Sequence, residues 1–189
     1  SFLNSFYKTQ ADNYDAYRYY LLHAKKELMT SIPFKKGDSL LLFAGGTGDV
    51  LDYLHDNIKL FKNITIMDIC DPLLEKAIEK KKKYNWSNVK IVKGDAHDFV
   101  EEESYDIVLI TYSLTMIPNW KLSIDNSISC LKKGGYLGVC DFTTRKNKLK
   151  IVKKFWEKLF SLDNVYINDE HIDYLKNKLE KVFIRYDFG

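Results

Sequence analysis

The hydrophobic positions along this chain follow two patterns, short continuous apolar runs and apolar residues spaced three or four apart. The continuous runs predict strands at 39–44, 63–68, 89–92, 105–111 and 136–142, and residues 181–186 are a candidate for a sixth. Helical spacing predicts helices at 12–30, 49–57, 120–132, 146–160 and 169–180. One more helix follows the second strand, with Asp71 as its N-cap and Pro72 as its first residue.

This alternation of strands and helices predicts the fold class. Parallel strands need crossover connections, so the pattern indicates an α/β fold that is Rossmann-like and doubly wound around a mostly parallel sheet. In such sheets ligands bind beyond the carboxyl ends of the strands, next to the first strand. No linker or repeat divides the 189 residues, so we expect one domain over 1–189 with a helical N-terminal extension over 1–34.

Composition argues against several classes of function. A formal net charge of +3 is too small to indicate nucleic acid, and no nucleic-acid partner is expected. The three cysteines lie far apart in apolar segments and the four histidines lack metal-ligand spacing, so we expect neither disulfides nor a metal. These features favour a cytoplasmic protein. No apolar run reaches the length of a membrane-spanning helix, although contact with a membrane surface stays open.

The stretch LLFAGGTGDVLDYL contains the strongest candidate chemistry. Gly45, Gly46 and Gly48 follow the first strand directly, and glycines let a ligand approach the backbone; a tight strand-to-helix turn is the plainer interpretation. A dinucleotide fingerprint would need glycine or alanine where Leu51 stands. A phosphate-binding P-loop would need lysine where Asp49 stands, so binding of nucleotide phosphates is disfavoured.

Five segments, in order along most of the chain, resemble the class I S-adenosylmethionine-dependent methyltransferases. They are Ala44-Gly45-Gly46-Thr47-Gly48-Asp49, Ile66-Met67-Asp68, Lys93-Gly94-Asp95-Ala96, Tyr105-Asp106-Ile107-Val108 and Leu131-Lys132-Lys133-Gly134-Gly135. The chain looks particularly like the quinone-type C-methyltransferases and the betaine-lipid N-methyltransferases. The resemblance implies S-adenosylmethionine as cofactor and a sheet whose last strand is antiparallel. Only three residues follow position 186, so the presence of that last strand is left open.

The resemblance also implies which residues hold the cofactor. Asp68 stands at a strand end about 20 residues beyond the glycine loop, where a carboxylate accepts both ribose hydroxyl protons; capping the next turn is its alternative role. Asp95 resembles the acceptor of the adenine amino group, with a turn residue as the alternative. Leu42 stands where many members of the family carry an acidic residue, so the methionine amino group is expected to be held by backbone carbonyls around Ala44, or by Thr111 and Tyr112. The full predicted set is Ala44, Gly45, Gly46, Thr47, Gly48, Asp68, Ile69, Asp95, Ala96 and Thr111.

The segment after the fourth strand resembles the betaine-lipid enzymes most closely. It reads Tyr112-Ser113-Leu114-x-Met116-Ile117-Pro118, and other matching segments are Tyr14-Asp15-x-Tyr17-Arg18, Gly138-Val139-Cys140-Asp141-Phe142 and Asp173-Tyr174-Leu175. The implied reaction is N-methylation of a lipid-linked amino acid, diacylglyceryl-homoserine, to a betaine lipid. Tyr112 and Tyr14 are the implied catalytic residues, and Arg18, Ser113 and Met116 are the implied substrate-binding residues.

Alternatives stay open for the acceptor and for a basic cluster. A quinone-type carbon, phosphatidylethanolamine and a small soluble amine are other acceptors, and a non-catalytic cofactor-binding module of a lipid-synthesis assembly is a hypothesis of another class. The basic cluster, which is interleaved with apolar residues, suggests peripheral contact with an anionic membrane surface, although such runs are usually solvated helix faces. Its members are Arg145, Lys146, Lys148, Lys150, Lys153 and Lys154. The oligomeric state is left open by the sequence.

Overall fold

The computed structural model describes residues 24–143 and 168–186, and it confirms the predicted fold class. The strands are β1 (Ser39–Phe43), β2 (Asn63–Asp68), β3 (Val89–Lys93), β4 (Tyr105–Thr111) and β5 (Leu131–Cys140). The α-helices are α1 (Ala24–Ser31), α2 (Asp71–Lys83), α3 (Trp120–Ser129) and α4 (Glu170–Lys178). The predicted helix at 146–160, and the part of the first predicted helix before residue 24, lie outside the described residues.

The five strands form one parallel sheet with the order β3-β2-β1-β4-β5. β1 lies at the centre, where Leu42 is in register with Ile66 of β2 on one side and with Leu109 of β4 on the other. The chain adds β2 and β3 on one side of β1 and then crosses to add β4 and β5 on the other. This reversal is the switch point at which open parallel sheets bind ligands.

Both faces of the sheet are covered, which explains why β1 is buried at every position. Successive side chains of a strand point to opposite faces. Leu40 and Leu42 therefore pack in one core cluster with Met29 of α1, while Leu41 and Phe43 belong to a second cluster on the other face.

The chain after the glycine loop departs from the predicted helix at 49–57. It forms two short 3₁₀ helices, Asp49–Tyr53 and His55–Leu60. The amides of residues 51, 54 and 57 each donate to the carbonyl three residues earlier. His55 has a left-handed φ of 48°, which breaks the helical path between the two segments, so a continuous α-helix does not form.

β5 begins five residues earlier than predicted, and α3 correspondingly ends at Ser129 rather than at 132. Residues 133–135, which come before the predicted strand, lie inside β5, where the register against β4 shifts between Tyr105 and Ile107. Gly134 has a φ of +78° at this irregularity. A bulge in β5 therefore accommodates these extra residues.

Two further predictions need correction. Residues 181–186 do not form a strand; they are mostly exposed, and Phe183 is 84% exposed. The run is apolar enough for a strand but has no strand partner in the described part of the chain. At α2, the helix begins with Asp71 itself and the N-cap is Cys70, so Pro72 stands one position later than predicted. Within the described residues, no helix has the length and apolar character needed to cross a membrane.

Candidate functional site

The carboxyl ends of β1 and β2 are joined by the carboxylate of Asp68. The backbone N–H of Gly46 donates to Asp68 Oδ2 at 2.8 Å, and the N–H of Cys70 donates to Oδ1 at 2.9 Å. Asp68 is only 8% exposed, and burial raises the pKa of its carboxyl although these backbone bonds act in the opposite direction. A carboxylate oxygen can accept more than one hydrogen bond, so both oxygens can still accept from a ligand hydroxyl.

Gly46 is the residue of the loop whose backbone is open to a ligand. Its φ is +55°, and a Cβ at this position would meet only Leu73 Cδ1, at 3.7 Å. Ala44 at the start of the loop also has a left-handed φ, of 52°, and Thr47 is buried. The loop thus turns its Gly46 face toward open space beside Asp68.

At Gly45 and Gly48, close packing leaves no room for a side chain. A Cβ on Gly45 would lie 2.6 Å from Leu42 Cβ, and a Cβ on Gly48 would lie 2.6 Å from Ile66 Cδ1. Gly45 N also donates to the carbonyl of Met67 at 2.8 Å, which holds the loop against β2. A tight turn therefore explains why glycine stands at these two positions, and their predicted contact with the cofactor stays a prediction.

Asp95 and Ala96 follow β3 in a turn that is connected to Asp68. Gly94 N donates to the Asp68 carbonyl at 2.9 Å, and Asn126 of α3 donates to the carbonyls of Ala96 and His97. Asp95 Oδ1 accepts from His97 N at 2.9 Å and lies 3.2 Å from His97 Nδ1. Asp95 Oδ2 accepts no hydrogen bond from the described residues. One oxygen thus serves the turn, and the other is available to an amino group.

Two more residues of the predicted cofactor set lie at this edge of the sheet. Ile69, which directly follows β2, is 40% exposed and so offers an apolar surface at the end of that strand. Thr111 ends β4 and is partly buried. The described residues contain no group of three or more His, Cys, Asp or Glu that could hold a metal.

Tyr112 lies where predicted, directly after β4, but its hydroxyl is engaged. The backbone N–H of Ala24 in α1 donates to the Tyr112 hydroxyl at 3.3 Å, and the ring lies 5.0 Å from the ring of Phe142. Burial raises the pKa of Tyr112 well above its usual range, so the side chain stays a neutral phenol at physiological pH. This direction disfavours Tyr112 as a general base, and its predicted place in the catalytic set stays a prediction.

The other predicted acceptor residues are only partly described. Ser113 has a buried hydroxyl oxygen with no hydrogen-bond partner among the described residues. Met116 ends the short 3₁₀ helix Leu114–Met116, in which the Thr115 hydroxyl donates to Asp141, the residue after β5. Tyr14 and Arg18 lie outside the described residues, so their roles stay predictions.

A comparison with protein-family models decides the class of this site. The model of the ubiE/COQ5 methyltransferase family matches residues 21–182, which is most of the chain. The chain belongs to the ubiE/COQ5 methyltransferase family. The match covers α1 and all five strands, and it confirms the predicted class of methyltransferase. The betaine-lipid specificity stays a prediction.

Curated relatives agree with membership of the ubiE/COQ5 family. Demethylmenaquinone methyltransferase of Staphylococcus aureus is 29% identical over 137 residues, which are 72% of this chain and 55% of that protein. The chain therefore spans about half the length of the curated relatives it matches.

Solved structures show the same fold at low sequence identity. The S-adenosylmethionine-dependent methyltransferase of Aquifex aeolicus has a TM-score of 0.64 and 16% identity, covering 85% of this chain and 80% of that chain. Phosphoethanolamine N-methyltransferase 2 of Haemonchus contortus, solved with S-adenosylmethionine, has a TM-score of 0.69 and 19% identity, covering 82% of this chain and 36% of that chain. Together with the family match, these findings support S-adenosylmethionine as the cofactor.

No role was predicted for Asp141, which lies beside the loop after β4. Its Oδ1 accepts from the hydroxyl of Thr115 and from the N–H of Phe142, both at 2.8 Å, and its Oδ2 accepts from Thr115 N at 3.2 Å. Burial raises the pKa of Asp141 to about 6. The carboxylate fixes the loop after β4 to the end of β5. The sequence offered two signals, an acid near the end of an apolar strand and the resemblance of the segment 138–142 to the betaine-lipid enzymes.

A second pair of residues that the sequence did not indicate is Lys25 and Asp49. Lys25 of α1 is 4% exposed, and its Nζ donates to Asp49 Oδ2 at the end of the glycine loop. The pair brings the N-terminal helix to the same edge of the sheet as the other site residues. Lys25 stands four residues before Met29, so the two residues share the buried side of the helix. This helical spacing was the signal in the sequence for a buried lysine.

Proposed function

We propose that this chain is the cofactor-binding and catalytic part of an S-adenosylmethionine-dependent methyltransferase. The observation that supports the proposal is the connected row formed by the Gly46 face, Asp68 and Asp95 at the carboxyl ends of β1, β2 and β3. Gly46 N is bonded to the Asp68 side chain, and Gly94 N to the Asp68 carbonyl. The acids on this row have acceptor capacity that suits the hydroxyl and amino groups of an adenosine.

The residues in the row fit the parts of an adenosine in a definite order. In the proposal, Asp95 Oδ2 accepts from the adenine amino group, and exposed Ile69 packs against the ring. Asp68 accepts from the two ribose hydroxyls, because a carboxylate has enough lone pairs for them in addition to its two backbone donors. The Gly46 backbone lets the chain beyond the ribose pass over the end of β1.

S-adenosylmethionine, when bound, supplies a methyl group on a sulfonium sulfur. The acceptor's electron pair forms the new bond to the methyl carbon, the sulfur–carbon bond breaks, and its electron pair stays on the sulfur of S-adenosylhomocysteine. A neutral amine or a hydroxylated ring also loses one proton. The protein contributes chiefly alignment of the two reactants. Neutral Tyr112 fits an alignment role, since its raised pKa opposes deprotonation near neutral pH.

A quinone-type ring is the acceptor we propose first. The ubiE/COQ5 family match and the relative named demethylmenaquinone methyltransferase support it. The acceptor would approach from the end of β4, where the loop held by Asp141 and Thr115 lies. In this proposal Ser113, whose hydroxyl oxygen has no described partner, and Met116 contact the acceptor.

A lipid-linked amine is the second candidate acceptor. The segment from Tyr112 to Pro118 supports it, because its residues resemble the betaine-lipid N-methyltransferases. Tyr14 and Arg18 would contribute to this acceptor site. Both candidates need the same cofactor site and differ only in what approaches the loop after β4.

The test is transfer of labelled methyl from S-adenosylmethionine to acceptors presented in parallel. Demethylmenaquinone kept reduced as its quinol by dithionite, diacylglyceryl-homoserine and phosphatidylethanolamine are offered in mixed micelles, with Asp68→Asn as the variant that weakens the cofactor site. Label in the quinone alone is the expected result. Label in the homoserine lipid alone would indicate that the lipid-linked amine, the second candidate, is the acceptor. No label in any acceptor, with S-adenosylhomocysteine binding intact, would favour a non-catalytic module.

Peripheral contact with an anionic membrane is a separate proposal that rests on the sequence alone. The basic cluster at 145–154 lies outside the described residues. Electrostatic contact would be weakened by salt and by loss of the positive charges. Co-sedimentation with phosphatidylserine vesicles should therefore fall at high salt and on changing the cluster lysines to glutamine. Unchanged sedimentation in both experiments would contradict the proposal.

A further inference from the structure

A buried pair of opposite charges stands at one end of the proposed cofactor site. Lys25 Nζ donates to Asp49 Oδ2, and Lys25 is 4% exposed. A buried ammonium is stable only when it is paired and hydrogen-bonded, and it has three protons to donate. Among the described residues Asp49 is its one hydrogen-bond partner, and the ring of Tyr112 lies 5.8 Å away. Lys25 therefore has donor capacity that the described protein does not use.

The strand order places this pair where the amino-acid end of the cofactor falls. In the proposed row, adenine lies at the end of β3 and ribose at the end of β2, so the rest of the molecule continues across β1 toward β4. Asp49 directly follows the loop after β1. Next to Lys25, Ala24 N bonds to Tyr112 at the end of β4. Lys25 and Asp49 thus meet between the ends of β1 and β4.

The chemistry of that end of the cofactor calls for one cation and one anion. Its α-carboxylate needs a positively charged donor and its α-ammonium needs a carboxylate. Leu42, which stands where an acidic residue was expected, is 1% exposed and packs in the core, so it offers no charge. Within the described residues that surround the end of β1, the Lys25–Asp49 pair carries both charges.

We propose that Lys25 and Asp49 form a clamp for the amino-acid end of S-adenosylmethionine. Lys25 binds the carboxylate with the protons that Asp49 leaves free, and Asp49 accepts from the ammonium. This inference rests on the proposed function. The clamp makes the site prefer S-adenosylmethionine and S-adenosylhomocysteine over adenosine ligands that lack the amino-acid end. A purely structural role, in which the pair only ties α1 to the glycine loop, would give no such preference.

The test is isothermal titration with S-adenosylhomocysteine and with 5′-methylthioadenosine, which keeps the adenosine and the sulfur but lacks the amino-acid end. The wild type should bind S-adenosylhomocysteine at least about tenfold more tightly than methylthioadenosine. In Lys25→Met this preference should disappear, with methylthioadenosine affinity within about twofold of wild type. Lys25→Arg, which keeps the charge, should retain most of it. Lys26→Met, an exposed neighbour, is the matched control and should match the wild type.

Several outcomes would overturn the clamp. If Lys25→Met weakens both ligands by the same factor, the pair is a structural tether. If the wild type binds both ligands equally, the clamp is absent; this comparison needs no variant and decides the matter even if Lys25→Met fails to fold. If the wild type binds neither ligand, the proposed function is wrong and the clamp with it. Either of the first two results leaves the proposed function intact.

Discussion

Gly46 and Asp68, which are 22 residues apart in the sequence, are joined by a hydrogen bond of 2.8 Å from the Gly46 N–H to Asp68 Oδ2. The bond connects the loop after β1 to the end of β2. It sets the glycine backbone and the carboxylate side by side, before any ligand is present. A site that is organised in advance loses less conformational entropy on binding.

Changing Gly45 or Gly46 to alanine should have different effects on stability and on cofactor binding. Gly45→Ala places a Cβ 2.6 Å from Leu42 Cβ, so it should lower the free energy of unfolding by about 2 to 3 kcal/mol. Gly46→Ala has room for its Cβ and should cost about 1 kcal/mol for its left-handed φ, while obstructing the open face. Urea unfolding, with S-adenosylhomocysteine titration of each variant, measures both effects. Equal stability losses would contradict this account of the loop.

Asp141 should make the protein less stable as pH rises from about 4 to about 6. Its pKa is raised to about 6 by burial, so in this range the folded protein keeps a proton that the unfolded chain has lost. The contribution is about 3 kcal/mol by its pKa shift. Asp141→Asn should remove this downward slope from the stability curve. Urea unfolding from pH 4 to 7 measures it, relative to Asp56→Asn, whose side chain is fully exposed. Parallel curves for both variants would rule out the role of Asp141.

His171 should have the opposite effect over a similar range. Its ring is buried 4.5 Å from the ring of Trp120, and burial lowers its pKa to about 4. His171 binds a proton near pH 6.5 in the unfolded chain but only near pH 4 in the folded protein, so the free energy of unfolding falls as pH drops from 6.5 to 4. His171→Leu should abolish this loss, which is up to about 3 kcal/mol.

The same urea series measures the His171 effect. His55→Asn is the control, because His55 is exposed and asparagine tolerates its left-handed φ. Since Asp141 and His171 act in opposite directions, the wild-type curve can be flat, and only differences between variants are informative. A His171→Leu curve with the same acid slope as His55→Asn would contradict the prediction.

The parts of the fold that local pattern determines were predicted well. The strand at 105–111 was predicted with its observed bounds, because residues 107–110 form an uninterrupted apolar run that ends at the polar residue Thr111. Residues 181–186 have a similar apolar character but form no strand, since a strand needs a partner and the pattern cannot show one. The helix predicted at 49–57 does not form as one α-helix, because His55 has a left-handed φ that hydrophobic periodicity does not reveal.

The candidate site divides in the same way. Asp68 and the glycine loop were identified because parallel strands bring their own carboxyl ends to one edge, so chain order alone predicts their proximity. The pairs Lys25–Asp49 and Thr115–Asp141 join segments from different elements. The meeting of Lys25 and Asp49 depends on how α1 packs on the sheet, and that of Thr115 and Asp141 depends on the path of the chain after β4; spacing in the sequence encodes neither.

The most direct test of the central claim is titration of the wild-type chain and of Asp68→Asn with S-adenosylhomocysteine. We expect the wild type to bind S-adenosylhomocysteine. Asp68→Asn should bind it at least about tenfold more weakly, because a neutral amide is a poorer acceptor for two ribose hydroxyls. Asp56→Asn should bind like the wild type. Melting temperatures measured alongside show that each variant is folded. Equal affinity of the folded Asp68→Asn variant, or no binding by the wild type, would contradict the account.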